Sequence, residues 1–289
     1  MRREYERTPM EPLQLESAAV TDVGRVRSHN EDAYFAREPW FVVADGMGGH
    51  EAGELASAAV VTAFDDAPRE GVTPVVVSEV LARAQRGVLA LSSGRPRSAG
   101  TTVTGVAVLE TMRAPHWLVF NVGDSRVYRV LDGGLEQLTV DHSLVQELVD
   151  QGRMSRAEAR VSPHRNVITR ALGAGDHEAD FFVVPVITGE RLIVCSDGLT
   201  TEVDDEQVLQ VSQEHATPAG CAAALVSAAL AHGGHDNVTV LVLDVVAGGT
   251  ALGVEEDTVA RREDVEPRLV DVVAPDEIDE DTARSSVAR

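Results

Sequence analysis

Acidic side chains recur in this sequence at points where an apolar run gives way to a turn. Carboxylates that cluster without cysteine, and with few adjacent histidines, favour a hard cation such as Mg²⁺ or Mn²⁺ over Zn²⁺. Each site taken alone is a weak signal, because Asp and Gly are common turn residues. Together they predict a metal site built from several strand ends, and the members are Glu31 with Asp32, Asp45, Asp124, Asp197 and Asp236.

The stretch from Trp40 to His50, WFVVADGMGGH, lies at the centre of this series. Its first residues are apolar and predict a buried strand that leads into Asp45. Gly46 follows directly, and the absence of a Cβ there lets the backbone approach a bound ion closely. A helical pattern then begins near Glu51. The structural alternative for this stretch alone is an Asp-Gly turn without chemistry, and the other acidic sites argue against it.

The composition excludes several classes of function. The formal net charge is −22, and every basic residue other than histidine is arginine. A negative charge of this size argues against binding to nucleic acid backbones and to anionic membrane surfaces. The two cysteines, Cys195 and Cys221, are too few for a disulfide framework, which favours a reducing, cytoplasmic location. The sequence predicts no membrane span, and its polar start does not resemble a secretory signal.

We expect one folded domain over residues 13–247. Residues 1–12 are charged and interrupted by proline, which predicts a disordered N-terminus. Residues 248–289 are rich in acidic residues and contain no aromatic residue, which predicts an acidic disordered tail. The tail has three open interpretations: a solubilising end, a shield for the site, or a docking segment for a basic partner.

The strand patterns predict an α+β domain, for which two facing sheets with helices outside are the simplest layering. The polar residues 21–32 are expected to form turns. Residues 116–139 predict three short strands joined as a meander of hairpins, with turns at Gly123–Asp124 and at Asp132–Gly134. These patterns alone leave the architecture open.

Helix starts are marked by capping signals. Thr73 and Thr217 each precede a proline, which predicts an N-cap followed by proline at the first helical position. Ser155 and Glu158 have the spacing of a capping box. Residues 141–152 are expected to form one helix that ends at a glycine.

The acidic sites lie in short motifs whose order is informative: NED, DGMGGH, GTT, GDSR, SDGL and GGHDNVT. This series resembles that of the bacterial metal-dependent Ser/Thr protein phosphatases of the 2C type, over about residues 13–246. Residues 152–173 also resemble the flap of the bacterial members, which places a flap segment at about residues 150–180. The resemblance implies a four-layer αββα sandwich, in which two antiparallel sheets are flanked by helices and the metal site lies at one end.

The resemblance also implies roles for individual residues. Asp45 would bridge two Mn²⁺ or Mg²⁺ ions, the carbonyl of Gly46 would bind one of them, and Asp197 and Asp236 would bind the other. Two further acids would orient ion-bound waters from an outer shell, and Arg27 would bind the phosphate, for which a planar guanidinium is suited. The two outer-shell acids are Glu31 and Asp32.

The activity implied is hydrolysis of phosphoserine and phosphothreonine in proteins. A hydroxide that bridges the two ions would attack phosphorus in line and expel the alkoxide. The implied partners are phosphoprotein substrates and Ser/Thr protein kinases whose action it would oppose, and we expect a monomer. The alternative is a catalytically weak regulatory or binding member of the same fold, against which the presence of Asp45, Asp197 and Asp236 argues.

Some residues keep two interpretations. Asp124 matches a ligand of a third, weaker metal site in the family, but its usual acidic partner is replaced by Thr201, so a structural turn beside Arg126 stays open. Arg165 and Arg170 in the flap segment either contact substrate or belong to a solvated surface.

Overall fold

The computed structural model describes residues 11–48, 51–92, 99–110, 114–251 and 268–269 of the 289-residue chain. Its strands are β1 (Gln14–Asp22), β2 (Asp32–Arg37), β3 (Trp40–Met47), β4 (Gly100–Thr101), β5 (Val103–Glu110), β6 (Pro115–Val122), β7 (Arg126–Leu131), β8 (Gly134–Gln137), β9 (Asp180–Pro185), β10 (Arg191–Cys195), β11 (Val238–Ala247) and β12 (Arg268–Leu269). Its helices are α1 (Glu51–Asp65), α2 (Pro74–Ser92), α3 (Leu144–Asp150), α4 (Arg156–Val161), α5 (Asp197–Thr200), α6 (Asp205–Glu214) and α7 (Pro218–His232).

The strands pair antiparallel in two sheets that pack face to face. Within the described residues, one sheet has five strands in the order β1-β11-β10-β7-β8. The other has seven, in the order β12-β9-β6-β5-β3-β2, with β4 added beside β3. Helices α1 and α2 pack on the outer face of the seven-stranded sheet, and α5, α6 and α7 pack on the five-stranded sheet. The predicted αββα sandwich is therefore confirmed.

Strand β6 shows why the sheets can carry a layer on each side. Trp117 and Val119 face the opposing sheet, whereas Leu118 and Phe120 pack with helices α1 and α2. All four side chains are fully buried. Because side chains alternate between the two faces of a strand, a strand buried on both faces must be apolar throughout, as this one is.

The predicted meander over residues 116–139 is wrong at its first turn. Strand β6 pairs with β5 and β9, whereas β7 pairs with β10 and β8, so β6 and β7 belong to different sheets. The turn at Gly123–Asp124 therefore crosses from one sheet to the other at one end of the sandwich. The second turn is a hairpin as predicted, with Asp132 and Gly133 both at positive φ (51° and 76°), which suits a tight two-residue loop.

Strand β2 was not predicted, because residues 21–32 and the strand that follows them carry a weak apolar signal. Of its side chains only that of Phe35 is buried, which is typical of an edge strand that has little to bury. Strand β2 pairs along its whole length with β3, and this pairing sets Asp32 directly opposite Asp45.

The helix starts agree with the capping signals. Thr217 caps α7 through the amide of Gly220, and Thr73 accepts a hydrogen bond from the amide of Val76 at the start of α2. The capping box of Ser155 and Glu158 is present at α4. The helix expected over residues 141–152 begins later, at Leu144, with Ser143 as its N-cap.

The two predicted disordered ends fall mostly outside the described residues. Residues 249–251 extend past β11, where the Thr250 amide donates to the Val186 carbonyl at 2.7 Å, and Arg268 and Leu269 pair with β9. Within the described part of the chain, none of the helices has the length and hydropathy needed to cross a bilayer.

Glu190 is a buried acid at the end of the sandwich that carries the β10 N-terminus. One of its carboxylate oxygens, Oε1, accepts hydrogen bonds from the Trp117 indole (2.7 Å) and the Ile187 amide (2.8 Å), whereas Oε2 is buried without a partner. Burial raises the pKa of Glu190 to about 7. The folded protein therefore holds a proton there, between about pH 4.5 and pH 7, that the unfolded chain has released.

We predict that Glu190→Gln gains stability relative to the unaltered protein as the pH is raised from 5 to 8. The reason is that stability in the parent falls as pH rises towards the raised pKa, whereas glutamine does not ionise. The thermal midpoint of both proteins, measured at each pH, checks this. The exposed Glu16→Gln control should track the parent, and a Glu190→Gln difference independent of pH would contradict the prediction.

Candidate active site

The acidic residues singled out in the sequence meet at one edge of the sandwich. Asp45 lies near the end of β3 and Asp32 lies opposite it on β2. Asp197 is the first residue of α5 directly after β10, and Asp236 precedes β11. Asp124 arrives by the crossing turn between β6 and β7. Four strand ends and one crossing turn thus deliver carboxylates to one place.

These carboxylates repel one another and lie largely out of water. Burial raises the pKa of Asp45 well above its ordinary value, and the charges of Asp32, Asp197, Asp124 and Asp236 raise it further. Both effects disfavour the charged form of a carboxylate. A cluster of this kind is destabilising until a positive charge joins it.

The pKa values of the other acids in the cluster are raised for the same reasons. Burial raises the pKa of Asp32 to about 7, although hydrogen bonds from Thr239 and Ser196 oppose the shift. The pKa of Asp197 is raised by burial and then by the charge of Asp236. Burial and the charge of Asp197 raise the pKa of Asp124 well above its ordinary value.

Several carboxylate oxygens in this cluster have no hydrogen-bond partner. Asp32, Asp124 and Asp197 each have a buried Oδ1 that is unsatisfied within the described residues. A buried oxygen of an ionised carboxylate needs a donor or a cation, because its desolvation is otherwise uncompensated. The donors are all oxygen, which fits Mn²⁺ or Mg²⁺ rather than Zn²⁺.

The described residues do not contain three acidic, histidine or cysteine side chains that would enclose an ion by themselves. This agrees with the preference of Mg²⁺, which keeps several waters and takes only one or two protein carboxylates. Within the described residues, the carboxylates thus do not close around one point as a cage.

Gly46 allows the end of β3 to lie against the start of α1. A Cβ at Gly46 would lie 2.1 Å from the carbonyl oxygen of Gly53 and 2.6 Å from that of Glu31. The Gly46 amide donates to the same Glu31 carbonyl at 3.1 Å. This close approach is the physical reason for glycine directly after Asp45. Gly49 and His50 of the same motif lie outside the described residues.

Hydroxyl groups fix the backbone of Asp45. Its amide donates to Thr102 Oγ1 at 3.0 Å, and its carbonyl accepts from the hydroxyl of Thr101 at 2.9 Å. On the opposite sheet, the hydroxyl of Ser196 donates to Asp32 Oδ2 at 2.7 Å. The motifs GTT and SDG contain these residues, but the sequence did not indicate that their hydroxyls position the acids.

Asn237 is a positioning residue that the sequence analysis missed. Its side-chain oxygen accepts from the Glu31 amide at 2.8 Å, and its Nδ2 donates to the carbonyls of Val23 and His29, both at 2.9 Å. One buried amide therefore holds the whole loop that carries Arg27 and Glu31. The only signal was its place directly after Asp236.

Arg27, the predicted phosphate-binding residue, lies beside the acidic cluster. Its Nη2 donates to Asp236 Oδ2 at 2.7 Å, and about half of its side-chain surface is exposed (49%). An exposed ion pair of this kind contributes little to stability, so the guanidinium can exchange its partner at small cost. Arg27 is thus placed to meet an anion that arrives from solvent beside the carboxylates.

Arg126 is the neighbour of Asp124 in this turn, but its main partner is another acid. Arg126 instead forms a two-pronged ion pair with Asp141, at 2.8 Å and 2.6 Å. Glu202, the acid nearest in sequence to the expected third-site partner, accepts a hydrogen bond from the His235 ring at 2.6 Å. Asp124 therefore has Asp197 of the cluster as its acidic neighbour, whereas Glu202 is engaged by His235.

His142 connects the crossing turn to the flap segment. The Gly123 amide donates to its Nδ1 at 3.1 Å, and its Nε2 lies 3.3 Å from Asp180 Oδ2 and 3.2 Å from Arg170 Nη1. Arg170 also binds Asp180, at 3.0 Å. Arg170 is therefore engaged in holding the flap segment, whereas Arg165 lines the cavity beside Asp124.

Comparisons with known proteins agree with this geometry. The model of the family "Protein phosphatase 2C" matches residues 24–232. The serine/threonine phosphatase stp of Listeria monocytogenes serotype 4b is 37% identical over 237 residues, which cover 78% of this chain and 93% of that protein. The serine/threonine protein phosphatase PstP of Mycobacterium tuberculosis is 38% identical over 240 residues, which cover 81% of this chain and 46% of that protein.

Solved structures extend the likeness to the fold. The crystal structure of M. tuberculosis PstP/Ppp gives a TM-score of 0.74 at 36% identity and covers 81% of this chain and 99% of that one. The catalytic domain of PstP in complex with two manganese ions gives a TM-score of 0.73 at 35% identity, covering 81% and 100%. With the family model matched over most of the folded domain, the chain belongs to the protein phosphatase 2C family.

Proposed function

We propose that this member of the family is a Mn²⁺- or Mg²⁺-dependent protein phosphatase that hydrolyses phosphoserine and phosphothreonine. The observation that carries the proposal is the convergence of buried, partly unsatisfied carboxylates beside the exposed guanidinium of Arg27. Cations would balance the charge of the carboxylates, and a phosphate dianion would pair with the guanidinium of Arg27. Phosphatase activity in the relatives named above supports the same conclusion.

The residues that would hold two ions are Asp45 between them, the Gly46 carbonyl on one, and Asp197 and Asp236 on the other. Asp32 and Glu31 would orient the ion-bound waters from the outer shell. When bound, such ions supply a nucleophilic water near neutral pH and neutralise the charge of the phosphoryl oxygens. The manganese ions of the PstP catalytic domain support this choice of metal. A third ion at Asp124 is a further proposal, supported by its unpartnered Oδ1.

Arg27 would bind the phosphoryl group by exchanging Asp236 for two phosphate oxygens. Asn237 holds the loop that carries Arg27, so the backbone from which the guanidinium extends is fixed. A planar guanidinium binds two oxygens at once, which orients the phosphate for in-line attack. Cys195 takes no part: it is fully buried, and burial raises its pKa to about 12.

We further propose that the substrates are phosphoproteins made by Ser/Thr protein kinases, that the protein acts as a monomer, and that it lies in the cytoplasm. The two free, buried thiols of Cys195 and Cys221 support a reducing compartment. No observation favours the catalytically weak binding module considered above.

The first prediction concerns activity. A phosphothreonine peptide should be hydrolysed with Mn²⁺ or Mg²⁺ and not with EDTA, and Asp236→Asn should lower kcat/KM by about 100-fold or more, since a charged ligand is lost. Phosphate release at equal protein concentration measures this. Asp244→Asn, an acid on β11 that binds Arg191 away from the cluster, serves as the control for the same chemical change. Hydrolysis that persists in EDTA would contradict the proposal.

The second prediction concerns metal-linked stability. Mn²⁺ should raise the thermal midpoint of the parent protein, because an ion that binds only the folded state adds about 2.7 kcal/mol at 100 times its Kd. Asp197→Asn should melt in EDTA at or above the parent temperature, since it removes a buried negative charge from the cluster. The same variant should lose most of the shift with Mn²⁺. A variant that melts far below the parent in EDTA would show that Asp197 stabilises the fold itself.

The third prediction separates phosphate binding from charge. Arg27→Lys should keep the charge but lower kcat/KM by about 10- to 100-fold, since lysine cannot make the two-pronged contact. Arg27→Ala should lose at least as much. Both should keep the Mn²⁺-dependent rise in thermal midpoint, because Arg27 is not a ligand. Full activity in the lysine variant would leave only an electrostatic role for this residue, and the exposed Arg37→Ala is the matched control.

A further inference from the structure

The turn between β6 and β7 carries Asp124 as the chain crosses from one sheet to the other. Gly123, directly before Asp124, has a φ of 118°, and a Cβ there would lie 2.5 Å from Thr102 Cγ2. This position therefore requires glycine, which is the residue with the most backbone freedom. The conformation of the turn must be set by contacts from outside it.

His142 supplies such contacts through both its ring and its backbone. Its Nδ1 accepts a hydrogen bond from the Gly123 amide at 3.1 Å, and its own amide donates to the Gly123 carbonyl at 2.8 Å. The Nδ2 of Asn121 donates to the same carbonyl at 2.9 Å. Both backbone polar groups of Gly123 are therefore bound, and His142 provides a partner to each of them.

His142 is itself held by the elements around it. The residue is buried, and its Nε2 lies 3.3 Å from Asp180 Oδ2 and 3.2 Å from Arg170 Nη1. Its carbonyl accepts from the Thr169 amide at 2.9 Å. Asp180 begins β9 and lies opposite Asn121 of β6, so its backbone is fixed by the sheet. The imidazole thus connects the turn to a strand of the seven-stranded sheet.

The geometry of Gly123 matters because Asp124 follows it directly. Asp124 is buried, and its Oδ1 has no hydrogen-bond partner within the described part of the chain. Because no hydrogen bond fixes this oxygen, its position depends on the backbone that carries it. A rotation of the preceding peptide would therefore move the carboxylate relative to Asp197, its acidic neighbour in the cluster.

We propose that His142 is a positioning residue, which sets the place of the Asp124 carboxylate through the backbone of Gly123 and thereby sets how tightly Mn²⁺ binds there. The inference rests on the proposed phosphatase function and on the proposed ion at Asp124. His142 itself touches neither the ion nor the substrate. Replacing a residue that orients a metal ligand typically lowers metal affinity or activity about 10- to 100-fold.

Two substitutions separate the contacts of the ring. An asparagine amide lies near the position of Nδ1 and can still accept from the Gly123 amide, whereas a glutamine amide reaches towards Nε2 and leaves the Gly123 amide without that acceptor. His142→Gln should raise the Mn²⁺ concentration for half-maximal hydrolysis of a phosphothreonine peptide by about 10-fold, with a much smaller change in the KM for the peptide. His142→Asn should stay close to the parent in both measurements.

Bound Mn²⁺ is a second readout, which needs no turnover. It is counted from the electron paramagnetic resonance signal of the free ion, at a Mn²⁺ concentration that fills the parent sites, and His142→Gln should bind fewer ions than the parent. His215→Gln is the matched control, because its Nδ1 lies 2.9 Å from the Val211 carbonyl at the end of α6, away from the acidic cluster. The control should keep the parent count, and thermal midpoints in EDTA check that each variant is folded.

A double-mutant cycle tests whether His142 acts through Asp124. Asp124→Asn should raise the Mn²⁺ requirement at least as much as His142→Gln does, and adding His142→Gln to Asp124→Asn should raise it no further. Additive effects in the double variant would show that His142 acts by another route. An equal loss in His142→Asn and His142→Gln would also overturn the proposal, since the contact with Gly123 would then not be the cause.

The results distinguish this inference from the function on which it rests. If the parent hydrolyses the peptide with Mn²⁺ but His142→Gln behaves like His215→Gln, the positioning role is wrong and the phosphatase function stands. If the parent binds Mn²⁺ but hydrolyses no phosphopeptide, the proposed function fails, and the count of bound ions alone decides the role of His142.

Discussion

The constraint on which this structure depends is the mutual repulsion of carboxylates that the fold gathers at one end of the sandwich. Asp32, Asp45, Asp124 and Asp197 have raised pKa values for the same two reasons, burial and one another's charge. Such a cluster costs free energy in the folded chain, so the apolar layers must offset it. A divalent cation reverses the sign of that interaction. The site and its metal are therefore linked by electrostatics before any chemistry takes place.

The fold meets this constraint with rigid, non-acidic supports. Asp45 is fixed by the hydroxyls of Thr101 and Thr102, and the loop of Arg27 is fixed by the side chain of Asn237. These supports lie in strands or directly beside them, where neighbouring layers limit their movement. Because Asp45 is held by hydrogen bonds to its backbone, its carboxylate is not needed to fix the strand in place. Preorganisation of this kind is what a site needs in order to bind without paying for rearrangement.

Much of the fold could be predicted from the sequence because the strongest signals are local. The apolar runs that end at Asp45 and Asp197 predicted their strands, and the Thr-Pro pairs predicted two helix starts. The sequence failed where structure depends on partners distant in the chain. Strand β2 buries little, so its apolar pattern is weak, and it exists because β3 offers it an edge. The turn at Gly123 looked like a hairpin because a turn signal does not say whether the next strand returns to the same sheet.

In the candidate site, too, the residues with local signals could be predicted and those that depend on distant partners could not. Ligand-type residues could be named because acid and glycine motifs carry that chemistry in their own side chains. The roles of Asn237, Ser196 and His142 could not, since each depends on which carbonyl or amide the fold brings within reach. Arg126 is the clearest case. Two residues from Asp124 in sequence, it nevertheless pairs with Asp141, which lies beyond the β7–β8 hairpin.

A strongly acidic phosphatase must attract an anionic substrate against its own net charge. The net charge of −22 repels a phosphoprotein at long range, and salt at physiological strength screens that repulsion beyond about 8 Å. What decides binding is then the charge at the acidic cluster itself, which bound cations would offset. The same reasoning applies to Arg27, whose exposed pair with Asp236 is weak enough to exchange. An exposed guanidinium beside acids that cations would neutralise gives a phosphorylated side chain a positive charge to meet at the site itself.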